Sequence, residues 1–286
     1  MSAARGPGPL PPRLLRIGVP LAFVLLTGFF VLLGFPYDAA RDALALRLSR
    51  ATGARVSIAE LGAGLSRAGP VLVARGASAT LPDGSVWSLE SARLRPAWSL
   101  AWLRGSPALA VDLVSPDGRL RGTAFGGDEP GFAGRAEDVL LSRLPLGALM
   151  PDLALDGRAA ADIDLRHSED GPRGRLELRA AEGSLAVPGL PVALPYATLE
   201  SRLELGGEQR LRVERLSLDG PMLAAEVEGS VGASPALASA PLDLRVRVEV
   251  REAGVRGMVQ DWGVRLDREG KGEAHIAGSV GDPEVR

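Results

Sequence analysis

The chain has 286 residues, 46% hydrophobic but only 4% aromatic, with a formal net charge of -2. That balance argues against a general phosphate-binding surface, which needs a basic excess, and so against nucleic acid as a partner. The absence of cysteine excludes disulfides, thiolate metal sites and cysteine nucleophiles.

Arginine supplies nearly all the positive charge, since Lys271 is the only lysine, and asparagine is absent. This bias matches a GC-rich bacterial genome, so individual arginines are not read as chosen ligands. Residues 1–16 form a short Pro- and Gly-rich tail, too short to fold. Ile17 to Phe35 then carries no charge in nineteen residues. At ~1.5 Å per residue a helix of this length spans roughly 28 Å, close to a hydrocarbon core of ~30 Å. A removable secretory signal is the competing reading, but the apolar run exceeds the usual length. The small residues Ala43 and Ala45 also lie well beyond its end. One transmembrane helix over 17–35 is therefore expected. Arg5, Arg13 and Arg16 on one side and Arg41, Arg47, Arg50 and Arg55 on the other leave orientation undecided by charge.

A linker segment, 36–54, follows. Within it Asp38–Thr52 reads as a helix, with Leu44, Leu48 and Ala51 on one face and Gly53 as its stop. It is expected to cap the start of a sheet.

From Arg55 onward, period-two alternation dominates. Leu242, Leu244, Val246, Val248 and Val250 share one face of a strand, while Asp243, Arg245, Arg247, Glu249 and Arg251 share the other. Leu176 and Leu178, Leu203 and Leu205, and Leu223, Ala225 and Val227 repeat the scheme. One dry and one wet face mark antiparallel strands. The phase slips between Val213 and Leu216, which predicts a bulge near Glu214–Arg215. Turns are expected at Pro82-Asp83-Gly84, Pro116-Asp117-Gly118, Glu169-Asp170-Gly171-Pro172 and Gly206-Gly207. Helical insertions are expected around Trp98–Leu103, Val139–Met150 and Ala253–Trp262, and long loops over Val187–Pro195 and Ala233–Pro241. Two β subdomains, 55–127 and 128–286, would meet near Gly126-Gly127.

About nine strands with about three apolar side chains each give roughly 30 groups to hide, worth several tens of kcal/mol. So few helices cannot cover them. The sheet must form a sandwich, close into a barrel, or curl into a trough whose dry side meets lipid or a partner.

Few residues suggest chemistry. His167-Ser168-Glu169-Asp170 has the residue types of a hydrolytic triad, but consecutive residues cannot form the relay, and a hairpin turn fits better. Asp162 and Asp164 share a face, as a cation site would need, but Arg166 shares it too. Asp138, Asp152 and Asp156 lack calcium-loop spacing, and a lone His275 makes no metal site. Gly62 and Gly64 lack the third glycine of a dinucleotide loop. Trp87, Trp98 and Trp102 suit either core packing or a membrane-interface belt. No catalytic residue, cofactor site or metal site emerges, and an enzyme is not expected.

The order of elements carries a resemblance. After the span come "RVSIAELGAG" and "GPVLVARGASATLPDGSVWSLESARLRPAWSLAWLRGSPALAVDLVSPDGRLRG", then "LSRLPLGALMPDLALDGRAAADIDL", and finally "AHIAGSVGDPEVR" with Gly278, Val280 and Pro283. This resembles AsmA-like proteins, and in arrangement and size type II secretion system protein N. The resemblance implies a mainly β fold, an N-terminal transmembrane helix and a curled antiparallel sheet, the AsmA-like trough. It implies a bacterial inner-membrane anchor with the C-terminal domain in the periplasm. It further implies a secretion-system component acting through contacts with other secretion proteins rather than catalysis. The alternative is a lipid-binding or lipid-transfer module with phospholipid in an apolar groove. The family offers no catalytic residues.

Overall fold

The computed structural model describes residues 34–66, 69–81, 84–98, 105–143, 154–169, 171–186, 193–206, 209–234, 239–261 and 263–286. Apart from Gly34 and Phe35, the Ile17–Phe35 segment lies outside them. Among the described residues, no helix is long and apolar enough to cross a membrane.

Helix α1 (Tyr37–Thr52) ends at Gly53, whose left-handed φ of 69° lets its N–H reach Ser49 O at 3.0 Å. Fifteen strands follow among the described residues. They are β1 (Arg55–Ser66), β2 (Gly69–Thr80), β3 (Val86–Pro96), β4 (Ala108–Ser115), β5 (Gly118–Phe125), β6 (Gly131–Leu140), β7 (Ala154–Ser168) and β8 (Gly171–Ala186). Then come β9 (Leu194–Gly206), β10 (Gln209–Asp219), β11 (Leu223–Gly232), β12 (Pro241–Val250), β13 (Arg265–Leu266), β14 (Lys271–Ser279) and β15 (Asp282–Val285). Helix α2 (Ala253–Asp261) lies between β12 and β13.

The strands form a single curled sheet in which every pairing is antiparallel. From β1 to β12 each strand pairs with the next in sequence; β14 then follows β12, and β13 and β15 both pair with β14. This is the fold that short turns and alternating strands dictate, since neighbours in sequence can pair through hairpins. Residues 126–130 form the turn between β5 and β6, which pair directly, with Phe125 opposite Gly131.

The expected slip near Glu214–Arg215 is present: the register between β10 and β11 jumps from Val213 to Leu216. Two further irregularities carry non-glycine residues at positive φ, Asp138 at 54° and Glu182 at 53°. The first lies where β6 shifts register between Ala136 and Val139 against β7.

Some sequence expectations shift. Val139 and Leu140 belong to β6, pairing with Ala159 and Arg158, so strand pairing overrides their helical spacing. Only a 3₁₀ turn, Leu141–Arg143, follows, and residues 144–150 lie outside the described set. Trp98 is not helical, and residues 99–103 again lie outside. Strand β9 begins at Leu194, inside the expected Val187–Pro195 loop. Pro241 opens β12, a first position where a missing N–H costs little.

The buried core sits at one end of the later strands. Val255 and Val259 of α2 are 2% and 3% exposed and cluster with Leu199, Leu218, Leu223, Val250 and Ala274. Tyr196 belongs to the same cluster, and its hydroxyl donates to Asp156 O at 2.6 Å. A Cβ on Gly183 would strike that hydroxyl and Asp156 O, so glycine is required there.

Candidate functional site

The register lines up side chains across the sheet. One row runs Ala63, Leu72, Leu94, Val111, Gly122, Gly134, Ile163, Leu176, Leu203, Val213, Gly229, Leu244 and Ile276, each opposite the next. It crosses thirteen strands without one polar side chain. With strands ~4.8 Å apart, its contour is about 58 Å.

A parallel row, two residues along each strand, includes Leu61, Leu113, Leu120, Leu178, Leu216, Val227 and Val246, and Ser201 is its one polar member. The row on the other side includes Phe132, Leu165, Leu205, Leu211, Val231 and Leu242. None of the thirteen residues in the central row is fully buried. Among the described residues, then, no second layer covers this apolar face except at the α2 end.

The glycines serve the row. A Cβ on Gly122 or Gly134 would run into the ring of Phe132 at 2.6 or 2.8 Å, so the ring lies over the glycine pair. This local detail was not read from the sequence. Its signal was present, because Gly122 and Gly134 fall in the apolar phase of β5 and β6.

The opposite face is charged. Across β3 to β10 a single row reads Arg93, Asp112, Arg121, Arg135, Asp162, Glu177, Arg202 and Arg215. Oppositely charged neighbours pair: Arg135 Nε donates to Asp162 Oδ1 at 2.8 Å and Nη2 to Oδ2 at 2.9 Å. Arg119 holds Asp112 in the same two-pronged way, at 2.9 and 2.6 Å. These hydrogen bonds hold the Asp112 and Asp162 carboxyls below their usual range, with Arg119 and Arg135 the first causes. Burial first, then the Asp156 charge, pushes the Tyr196 phenol up.

The residues weighed for chemistry do not converge. Ser168 donates to Gly171 O at 3.2 Å, closing the β7–β8 hairpin. His167 pairs with Pro172 beside it, and Asp170 lies outside the described residues. Asp162 is taken by Arg135, and Asp164 lies 3.6 Å from Arg166. His275 Nε2 meets Asp243 Oδ1 at 2.6 Å on the charged face. Asp156 accepts the Gly157 N–H, and Asp152 lies outside the described residues. Trp87 and Trp98 are exposed, at 45% and 63%, so neither is a core residue; Trp102 lies outside the described residues. Among the described residues no group of three His, Cys, Asp or Glu is placed to hold a metal ion.

The candidate site is therefore the apolar face itself, an extended hydrocarbon-like strip bounded by a charged reverse side. Comparison with family models, with curated proteins and with solved structures finds no match to the chain.

Proposed function

We propose that the protein is an anchored bacterial envelope module that holds lipid acyl chains along its apolar face, in the manner of an AsmA-like trough. The observation that carries this reading is the central row from Ala63 to Ile276, apolar throughout and nowhere fully buried. An apolar strip of this length that stays partly open to solvent normally meets a partner. Each methylene that lies on the strip leaves water with a gain of ~0.8 kcal/mol, before the costs of ordering the chain. Fourteen such groups give a gross term of order ten kcal/mol. A continuous, featureless surface suits a flexible hydrocarbon chain, because it offers contact without demanding a fixed pose.

The charge-free Ile17–Phe35 segment supports an inner-membrane anchor, with the sheet in the periplasm. Protein extracted gently from membranes and weighed intact should carry phospholipid, and the Leu244→Asp variant should carry none. A wild-type chain that flies without lipid would defeat the proposal.

A second reading draws on the resemblance of the sequence's order of elements to type II secretion system protein N. On that reading the protein is a structural component of the secretion apparatus and works through protein contacts. Deleting its gene should impair export of folded proteins while lipid composition stays normal. Unchanged export would remove this reading and leave the first intact.

A further inference from the structure

The large apolar side chains that protrude into solvent are not spread over the molecule. Of the nine that are exposed among the described residues, eight fall between residues 35 and 109: Phe35, Leu46, Leu48, Leu65, Val86, Trp87, Trp98 and Leu109. Only Val285 lies elsewhere. All eight sit on α1 and β1–β4 or the segments flanking them. Since β1 is the edge strand and β4 is three strands in, the strand residues among them lie within about 15 Å of that edge.

Helix α1 runs along the same edge. Its Ser49 Oγ accepts the Val56 N–H at 2.9 Å, and Arg41 Nη1 donates to Ala59 O at 3.3 Å. Both bonds tie α1 to β1, the edge strand, so α1 blunts a free edge that another strand could otherwise join. Its outer side presents Leu46, Arg47, Leu48 and Arg50 to solvent. Leucine and arginine exposed together on a helix suit the boundary between acyl chains and headgroups. So do two exposed tryptophans.

Charge points the same way. Residues 34–98 carry eight arginines against five carboxylates, in a chain of net charge -2. The folded chain beyond residue 98 is net acidic, so the edge nearest the apolar N-terminal segment is its basic part.

We infer that this N-terminal edge, α1 with β1–β4, lies on the surface of an anionic bilayer. The inference rests on reading Ile17–Phe35 as a membrane span and goes beyond it. The span would tether the domain, whereas this surface fixes how the sheet meets the membrane, with its first strands in the headgroup layer. The eight side chains account for a surface that would otherwise expose leucine, valine and tryptophan to water.

The cysteine-free sequence allows a clean test on the full chain. Single variants Leu25→Cys, Leu46→Cys, Leu65→Cys, Val86→Cys and Glu249→Cys are each labelled with a nitroxide. They are reconstituted into vesicles of phosphatidylethanolamine and phosphatidylglycerol. Collision with oxygen, which partitions into lipid, is compared with collision with a water-soluble nickel chelate. The ratio of the two should be several-fold higher at positions 46, 65 and 86 than at position 249 on the charged face. If those three match position 249 while position 25 stays oxygen-rich, the docking surface is refuted and the span stands. A water-exposed position 25 refutes the span and the inference with it. Poor access to both reagents at 46, 65 and 86 would mark a protein-covered surface, which also overturns the proposal.

Discussion

Leu244 on β12 stands directly opposite Ile276 on β14, and both remain partly open to solvent. One residue along, Arg245 and His275 form the matching pair on the charged face. Adjacent residues of one strand thus meet two unlike environments, which makes them a matched pair of probes. Leu244→Asp puts a carboxylate into the apolar row and should abolish lipid binding. Arg245→Asp changes only the wet face and should leave binding within about twofold. Lipid retained per mole of purified protein measures both.

The α2 end should govern stability. Val255 and Val259 are the helix's buried anchors and belong to a buried cluster that spans several strands. Replacing either with Ala removes buried methyl groups and leaves a cavity, at a cost of about 2 kcal/mol. Denaturant melts of the two variants should show the loss as a lower midpoint with an unchanged slope.

Acid should weaken the sheet through Asp112. Its carboxyl is held down by the hydrogen bonds from Arg119 and then by the nearby arginine charges. A lowered folded pKa contributes stability above the unfolded value of about 3.9, lost as pH falls through the folded value. Melting temperature should therefore drop below about pH 4, and Asp112→Asn should show a shallower drop. Because the pair is partly exposed, the effect is of order 1 kcal/mol or less.

Tyr196 works at the other end of the scale. Its phenol is buried against Gly157 and Gly183 and donates to Asp156 O. A raised phenol pKa keeps its contribution below the unfolded value of about 10 and loses it as pH climbs through the folded value. Tyr196→Phe leaves the carbonyl without this donor and should cost about 1 kcal/mol near neutral pH. It should also flatten the alkaline loss seen in thermal melts.

Much of the sheet was legible because alternation is a local signal. In β12, five apolar residues in one phase and charges in the other leave one reading, and the ladder follows it throughout. The bulge at Glu214–Arg215 was legible for the same reason: a phase slip in sequence must become a slip in space. Short strands were harder. In β5, Gly118–Phe125, glycine occupies an apolar-phase position, so periodicity there is weak and the strand emerges only from its partners. Val139 and Leu140 read as helical because spacing alone cannot report that Ala159 and Arg158 lie opposite. The apolar face was foreseen as a surface needing cover, with sandwich, barrel and trough all open. Nothing local distinguishes them, since the choice depends on how a whole sheet curves.

The most direct measurement places a photo-crosslinking amino acid at Leu244 and, separately, at Arg245, in cells making the full chain. The expected result is a phospholipid adduct at position 244 and none at 245. Equal labelling at both, or none at either, would show that hydrocarbon does not lie along the apolar row.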